Sequence, residues 1–127
     1  MPPLRFTDWD LHPSIQNAID SQGWEHPTEI QRDAVPAGRS GQDVIGQART
    51  GSGKTAAFGI PIIERVEANG APQAIVLCPT RELATQVCEE INWLQGDRGL
   101  SIVPIYGGTD LEIQAATLDS GIDVIVG

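Results

Sequence analysis

A parallel β-sheet flanked by helices is the fold class this chain predicts, and three observations carry it. Short apolar runs of strand length, at residues 42–47, 74–78, 100–106 and 122–126, alternate with stretches of helical period. The run Ala74-Ile75-Val76-Leu77-Cys78 is continuously apolar, as expected of a strand covered on both faces. The links are short and gather Gly, Thr and Arg beyond the carboxyl ends of the strands, where open parallel sheets bind ligands.

Taken in order, residues 1–13 are irregular, with Pro2, Pro3 and Pro13 and the aromatics Phe6 and Trp9. Ile15, Ala18 and Ile19 share one face of a helix running from residue 14 to about 21, and Gly23 terminates it. Thr28 followed by Gln31 has capping-box spacing and opens a second helix, which Pro36 is expected to close. After the first strand a helix is expected from Lys54 to about residue 68, kinked at Pro61 and ended by Asn69-Gly70. Pro79 to Ala84 turns the second strand into a helix reaching about Leu94, with Leu83, Val87, Ile91 and Leu94 on one face. The third strand ends at Gly107-Gly108, and Thr109 with Glu112 caps a last helix to about residue 119.

The bulk composition bounds what the chain can do. At 127 residues it has the length of one small domain, with 40% hydrophobic and 20% charged residues. Seventeen acids against seven arginines and one lysine leave a net charge of −9, which argues against a broad basic nucleic-acid face. The acid excess also fits a protein working in concentrated salt. Cys78 and Cys88 have neither metal-site nor redox spacing, which fits a reduced intracellular protein. Neither a membrane-length apolar segment nor a signal-peptide core is present, so a soluble, cytoplasmic protein is expected.

The most informative stretch is Ala48-Arg49-Thr50-Gly51-Ser52-Gly53-Lys54-Thr55, set between a strand and a helix. A glycine-rich turn there points several backbone N–H groups at one spot, at the positive end of the helix dipole. Lys54, the sole lysine of the chain, supplies a compact charge for terminal phosphates, and the Thr55 hydroxyl can ligate Mg²⁺. The strict pattern has Gly where this chain has Ala48, so the match is to a relaxed form. This is a phosphate-binding loop.

Four separated segments then resemble the N-terminal core of the DEAD-box RNA helicases. They are Phe6 with Gly23-Trp24-Glu25-His26-Pro27-Thr28-Glu29-Ile30-Gln31; the loop at 48–55; Pro79-Thr80-Arg81-Glu82-Leu83-Ala84; and Gly107-Gly108. Order, spacing and the alanine at 48 all look like that family, and the likeness covers nearly the whole chain. It implies a RecA-like phosphate-loop domain that uses ATP and Mg²⁺ and contacts RNA. Residues 1–36 would be an adenine-recognition segment and residues 37–127 part of the ATP-binding domain. By the same resemblance Gln31 reads the adenine edge with its amide, Phe6 stacks on the base and Trp24 lines the pocket. His26 falls at a free position of the pattern and reads as a surface residue. Pro79, Thr80 and Arg81 would contact RNA phosphates and Gly107 and Gly108 would let the RNA backbone approach. With a net charge of −9, such contacts must be few, local and steeply salt-dependent.

The resemblance also exposes an absence. Phosphoanhydride hydrolysis needs a carboxylate for Mg²⁺ and a group that orients water. No apolar strand here ends in Asp-Glu, and the adjacent acids Glu89-Glu90 fall within a helical stretch. The implied sheet would lack the strands that follow residue 127, leaving the one at 42–47 without neighbours and the chain prone to aggregate. Three functions remain open at this point. One is the ATP- and RNA-binding N-terminal part of a helicase, with catalysis completed elsewhere. Another is a non-catalytic remnant or regulatory fragment that binds adenine nucleotide or a partner. The last is a different phosphate-loop NTPase, against which the segment ending at Gln31 argues.

Overall fold

The computed structural model describes residues 3–49, 51, 53–105, 119 and 121–127. Among these residues a 3₁₀ turn at Phe6–Trp9 precedes four helices, α1 (Pro13–Ser21), α2 (Glu29–Arg39), α3 (Lys54–Arg65) and α4 (Arg81–Gln95). The strands are β1 (Ala74–Val76), β2 (Ile102–Pro104) and β3 (Val124–Val126). They form a parallel sheet in the order β1-β3-β2, with Val124 paired to both Ala74 and Ile102. The helix at 109–119 and its capping box lie outside the described residues.

Helices α1, α2 and α4 each begin where the sequence provides a partner for orphan N–H groups, whereas α3 starts at Gly53 with no side-chain cap. Pro13 occupies the first turn of α1, where its missing N–H costs nothing, and His12 Nδ1 accepts from Ser14 N–H at 3.1 Å. The capping box of α2 forms, with Thr28 N–H donating to Gln31 Oε1 at 2.9 Å. Thr80 caps α4 by accepting from Leu83 N–H at 3.1 Å. Pro36 does not close α2. It forfeits one hydrogen bond, yet the helix resumes with Ser40 N–H on Pro36 O at 3.1 Å, and Val35 is fully buried beside it. The expected domain boundary at 36/37 therefore falls inside a continuous helix.

α3 carries Pro61 within it and stops three residues short of expectation. Val66 leaves the helix for extended backbone because its side chain is drawn into the core, while Arg98 Nη2 donates to its carbonyl at 2.7 Å. The loop that follows is held by Asp123, a buried carboxylate. It accepts from Asn69 and Gly70 N–H on one oxygen and from Ser101 N–H on the other, at 3.2, 2.8 and 2.8 Å. α4 lies on the sheet against β2 and β3, α1 and α3 pack on α4, and α2 packs on α3. Ile19, Ile60, Ile63, Ile91, Leu94 and Val124 make up much of the shared core.

Two strand expectations are corrected. Residues 42–47 pair with nothing among the described residues, and Ile45 is 98% exposed. Two apolar residues flanked by Asp43 and Gly46 cannot hold an extended backbone without a neighbouring strand to satisfy it. β1 is covered on one face rather than both. Ala74, Val76 and Cys78 pack against the core, whereas Ile75 and Leu77, on the opposite side of the pleat, are exposed, Leu77 at 83%. The outer edge of β1 also carries no partner among the described residues.

An apolar strand with an unpaired edge is a template for association. The isolated chain should self-associate and bind an apolar dye at neutral pH, and I75K/L77K should shift light scattering toward monomer without loss of helical circular dichroism. A monomeric wild-type chain with a sharp, reversible melt would contradict this.

Candidate nucleotide site

The glycine-rich loop lies between the unpaired stretch ending near Arg49 and the first turn of α3. Gly53 is the N-cap of α3 at φ 83° and ψ 27°, and Gly51 also has φ 83°. Both conformations are left-handed, which a side chain would strain by about 1–2 kcal/mol. A Cβ on Gly51 would meet open space, whereas one on Gly53 would run into the Gln31 amide. Ala48 is half-buried, Arg49 exposed, and Thr50 and Ser52 lie outside the described residues. Lys54 is exposed on the first turn and Thr55 is half-buried beside it.

Gln31 is 1% exposed, and its amide spans two elements. Oε1 accepts from Thr28 N–H, and Nε2 donates to Gly53 O at 3.1 Å. That carbonyl also accepts from Ala57 N–H at 3.2 Å, so both of its lone pairs are used. A primary amide retains one further N–H and one further lone pair after these two bonds. Capping-box spacing revealed the first bond; nothing in sequence pointed to the second. A glycine beside the lysine is explained by phosphate approach alone, and its contact with Gln31 is a product of folding.

The expected base-binding aromatics are brought together, in an order sequence did not supply. Phe6 is 1% exposed. Its ring lies beneath Trp24, with centroids 6.2 Å apart at 27°, and meets the edge of Trp9 at 5.7 Å. Trp24, at 37% exposure, is the open ring, and Trp93 of α4 packs edge-on against it at 5.3 Å. Trp24 separates a hollow of about 280 Å³, lined also by Phe6, Thr7 and Gly23, from a groove of about 1120 Å³. That groove has Gly51, Gly53, Lys54 and Thr55 on its polar wall and Phe58, Leu77 and Leu83 on its apolar wall. His26 is exposed, with Nδ1 2.8 Å from Leu4 O. Sequence periodicity missed Phe58 and Trp93 as lining residues because neither shares the core stripe of its helix.

Pro79, Thr80 and Arg81 are exposed at the start of α4, although the Thr80 hydroxyl is engaged as the helix cap. Gly107 and Gly108 lie outside the described residues. Leu83, expected on the buried face of α4, borders the groove instead. The core stripe is Ala84, Val87, Cys88, Ile91 and Leu94.

The open glycine cradle, the lysine at its rim and the adjoining groove suit a nucleoside triphosphate. No cluster of three metal-ligating side chains occurs among the described residues. No helix among the described residues is long and apolar enough to cross a membrane.

The fold and the loop together define a RecA-like phosphate-loop protein. A family profile described as DEAD/DEAH box helicase matches residues 28–127, and the chain belongs to that family. It is 46% identical over 125 residues to the DEAD-box ATP-dependent RNA helicase CshA of Bacillus subtilis, covering 98% of this chain and 25% of that protein. The ATP-dependent RNA helicase DeaD of Mycobacterium tuberculosis is 45% identical over 124 residues, 96% of this chain and 22% of that one. The crystal structure of a DEAD box protein from Methanococcus jannaschii superposes with a TM-score of 0.91 at 44% identity, over 97% of this chain and 34% of that chain. The chain thus spans about a quarter of the length of the curated relatives it matches.

Gly51→Ala should cost about 1–2 kcal/mol from backbone strain alone. Gly53→Ala should cost about 1–3 kcal/mol more, because the Gln31 amide must also give way; shifts in the melting midpoint read both. The thiols should separate as well. Burial pushes the Cys88 thiol above its ordinary pKa, a hydrogen bond with Asn92 opposes this, and the charge of Glu89 adds to the rise. Cys78 is half-buried on the groove wall. A mass-resolved alkylation series at neutral pH should therefore label Cys78 well before Cys88.

Proposed function

We propose that this chain is the ATP- and RNA-binding N-terminal portion of a cytoplasmic ATP-dependent RNA helicase. The observation that carries this reading is the buried Gln31 amide, which joins the start of α2 to the carbonyl of Gly53 in the phosphate loop. A base-reading amide bonded to the loop that holds the phosphates makes recognition of base and phosphate one event. In this reading Ala48 to Thr55 cradle the phosphates, with Thr55 adding its hydroxyl to the Mg²⁺ carried by ATP. Trp24 offers its face to the adenine, Phe6 backs that ring, and the remaining valences of Gln31 meet the base edge. Pro79, Thr80, Arg81, Gly107 and Gly108 form the local RNA contact.

Hydrolysis requires paired carboxylates that no strand among the described residues ends in. They would come from the part of the relatives' length beyond the 127 residues present here. The chain alone is accordingly expected to hold ATP and not to cleave it.

Calorimetric titration of the full 127-residue chain tests this. ATP should bind, Lys54→Ala should weaken it at least about tenfold, and Gln31→Ala should bring ATP and GTP affinities together. Unchanged ATP affinity in a folded Lys54→Ala chain would overturn the reading.

A further inference from the structure

Behind the base wall, away from the groove, the Arg39 guanidinium meets the Glu64 carboxylate fork to fork. Nε lies 2.7 Å from Oε1 and Nη2 lies 3.3 Å from Oε2. The pair is sheltered, with side chains 30% and 16% exposed, so salt screens it less than a surface pair. Arg39 has a third bond, from Nη1 to the carbonyl of Trp9 at 2.7 Å, and Glu64 Oε2 also accepts from His12 N–H at 3.4 Å. One ion pair thus ties the last residue of α2 and the last turn of α3 to the N-terminal segment.

That segment carries the base wall. Trp9 meets the Phe6 edge, Phe6 lies under Trp24, and Phe6 N–H donates to Glu25 O at 3.1 Å. Helix α3 has Lys54 on its first turn and Glu64 on its last, about 15 Å apart along its length, with Pro61 between them. We propose that Arg39 and Glu64 are positioning residues for the base subsite, fixing Trp24 at a set distance from the phosphate loop through α3. The proposal rests on the nucleotide-binding reading above. A planar fork meeting a carboxylate and a carbonyl at once is a geometry a lysine ammonium cannot reproduce.

The test uses the full chain with Glu64→Gln and Arg39→Lys, titrated with Mg-ATP and separately with Mg-tripolyphosphate. Amide exchange is followed at Phe6, Asp8 and Asp10. Each variant should weaken ATP about five- to tenfold while tripolyphosphate affinity stays within about twofold, because only the base wall is released. Exchange at Phe6 should quicken about tenfold with α4 amides unchanged. Equal losses for both ligands, or unchanged ATP affinity in a folded variant, would overturn the proposal. If Glu64→Gln fails to fold, Arg39→Lys decides, since it keeps both charges. Should wild type bind neither ligand, the nucleotide reading fails by itself, and unchanged Phe6 protection in the variants would overturn the clamp independently.

Discussion

A buried primary amide must bond both its oxygen and its nitrogen, because a group left with no partner in a dry interior costs about 1–3 kcal/mol. Gln31 meets that requirement by turning its oxygen to Thr28 N–H and its nitrogen to Gly53 O. The first bond starts α2 and the second fixes the N-cap of α3, so the entry angles of two helices depend on one side chain. Gly53 must then be a glycine on two counts, its positive φ and the space the amide occupies. The same bond brings the phosphate loop beside the segment that holds Trp24, and a groove opens between them. Site and scaffold share this constraint.

The sheet obeys a second constraint, that parallel strands are stable only with neighbours. β3 has one on each side and its Val124 and Val126 are fully buried. Among the described residues β1 has β3 on one side only and leaves Ile75 and Leu77 uncovered, while the stretch at 42–47 has no strand beside it. Among the described residues, Gly53 is held by the first turn of α3 and by Gln31 rather than by a strand. This places the burden of site geometry on helix caps and side-chain bonds, among them the Arg39–Glu64 pair behind the aromatic wall.

Much of this was legible in the residues because local chemistry decides it. Thr28 with Gln31, and Thr80 before Leu83, announce helix starts whatever surrounds them, since the groups they satisfy belong to the next turn. Gly51, Gly53, Lys54 and Thr55 mark the loop as a candidate phosphate site because few other demands place those four types so. Other features failed to show because they depend on residues far apart in the chain. Pro36 reads as a stop until the packing of Val35 compensates its lost bond. Val66 reads as helix until the core claims its side chain. Phe6 reads as a ligand contact, yet Trp9 and Trp24 cover it.

By itself, then, the sequence determined the fold class, the helix starts among the described residues and the family, and it singled out the glycine-rich loop before Lys54, all of which rest on short-range spacing and backbone chemistry. Only the tertiary structure decided which aromatic ring stands open, that the Gln31 amide reaches Gly53, and which strand faces are covered. Those outcomes depend on long-range contacts and on the competition for a limited interior, and no residue pattern encodes which side chain will arrive first.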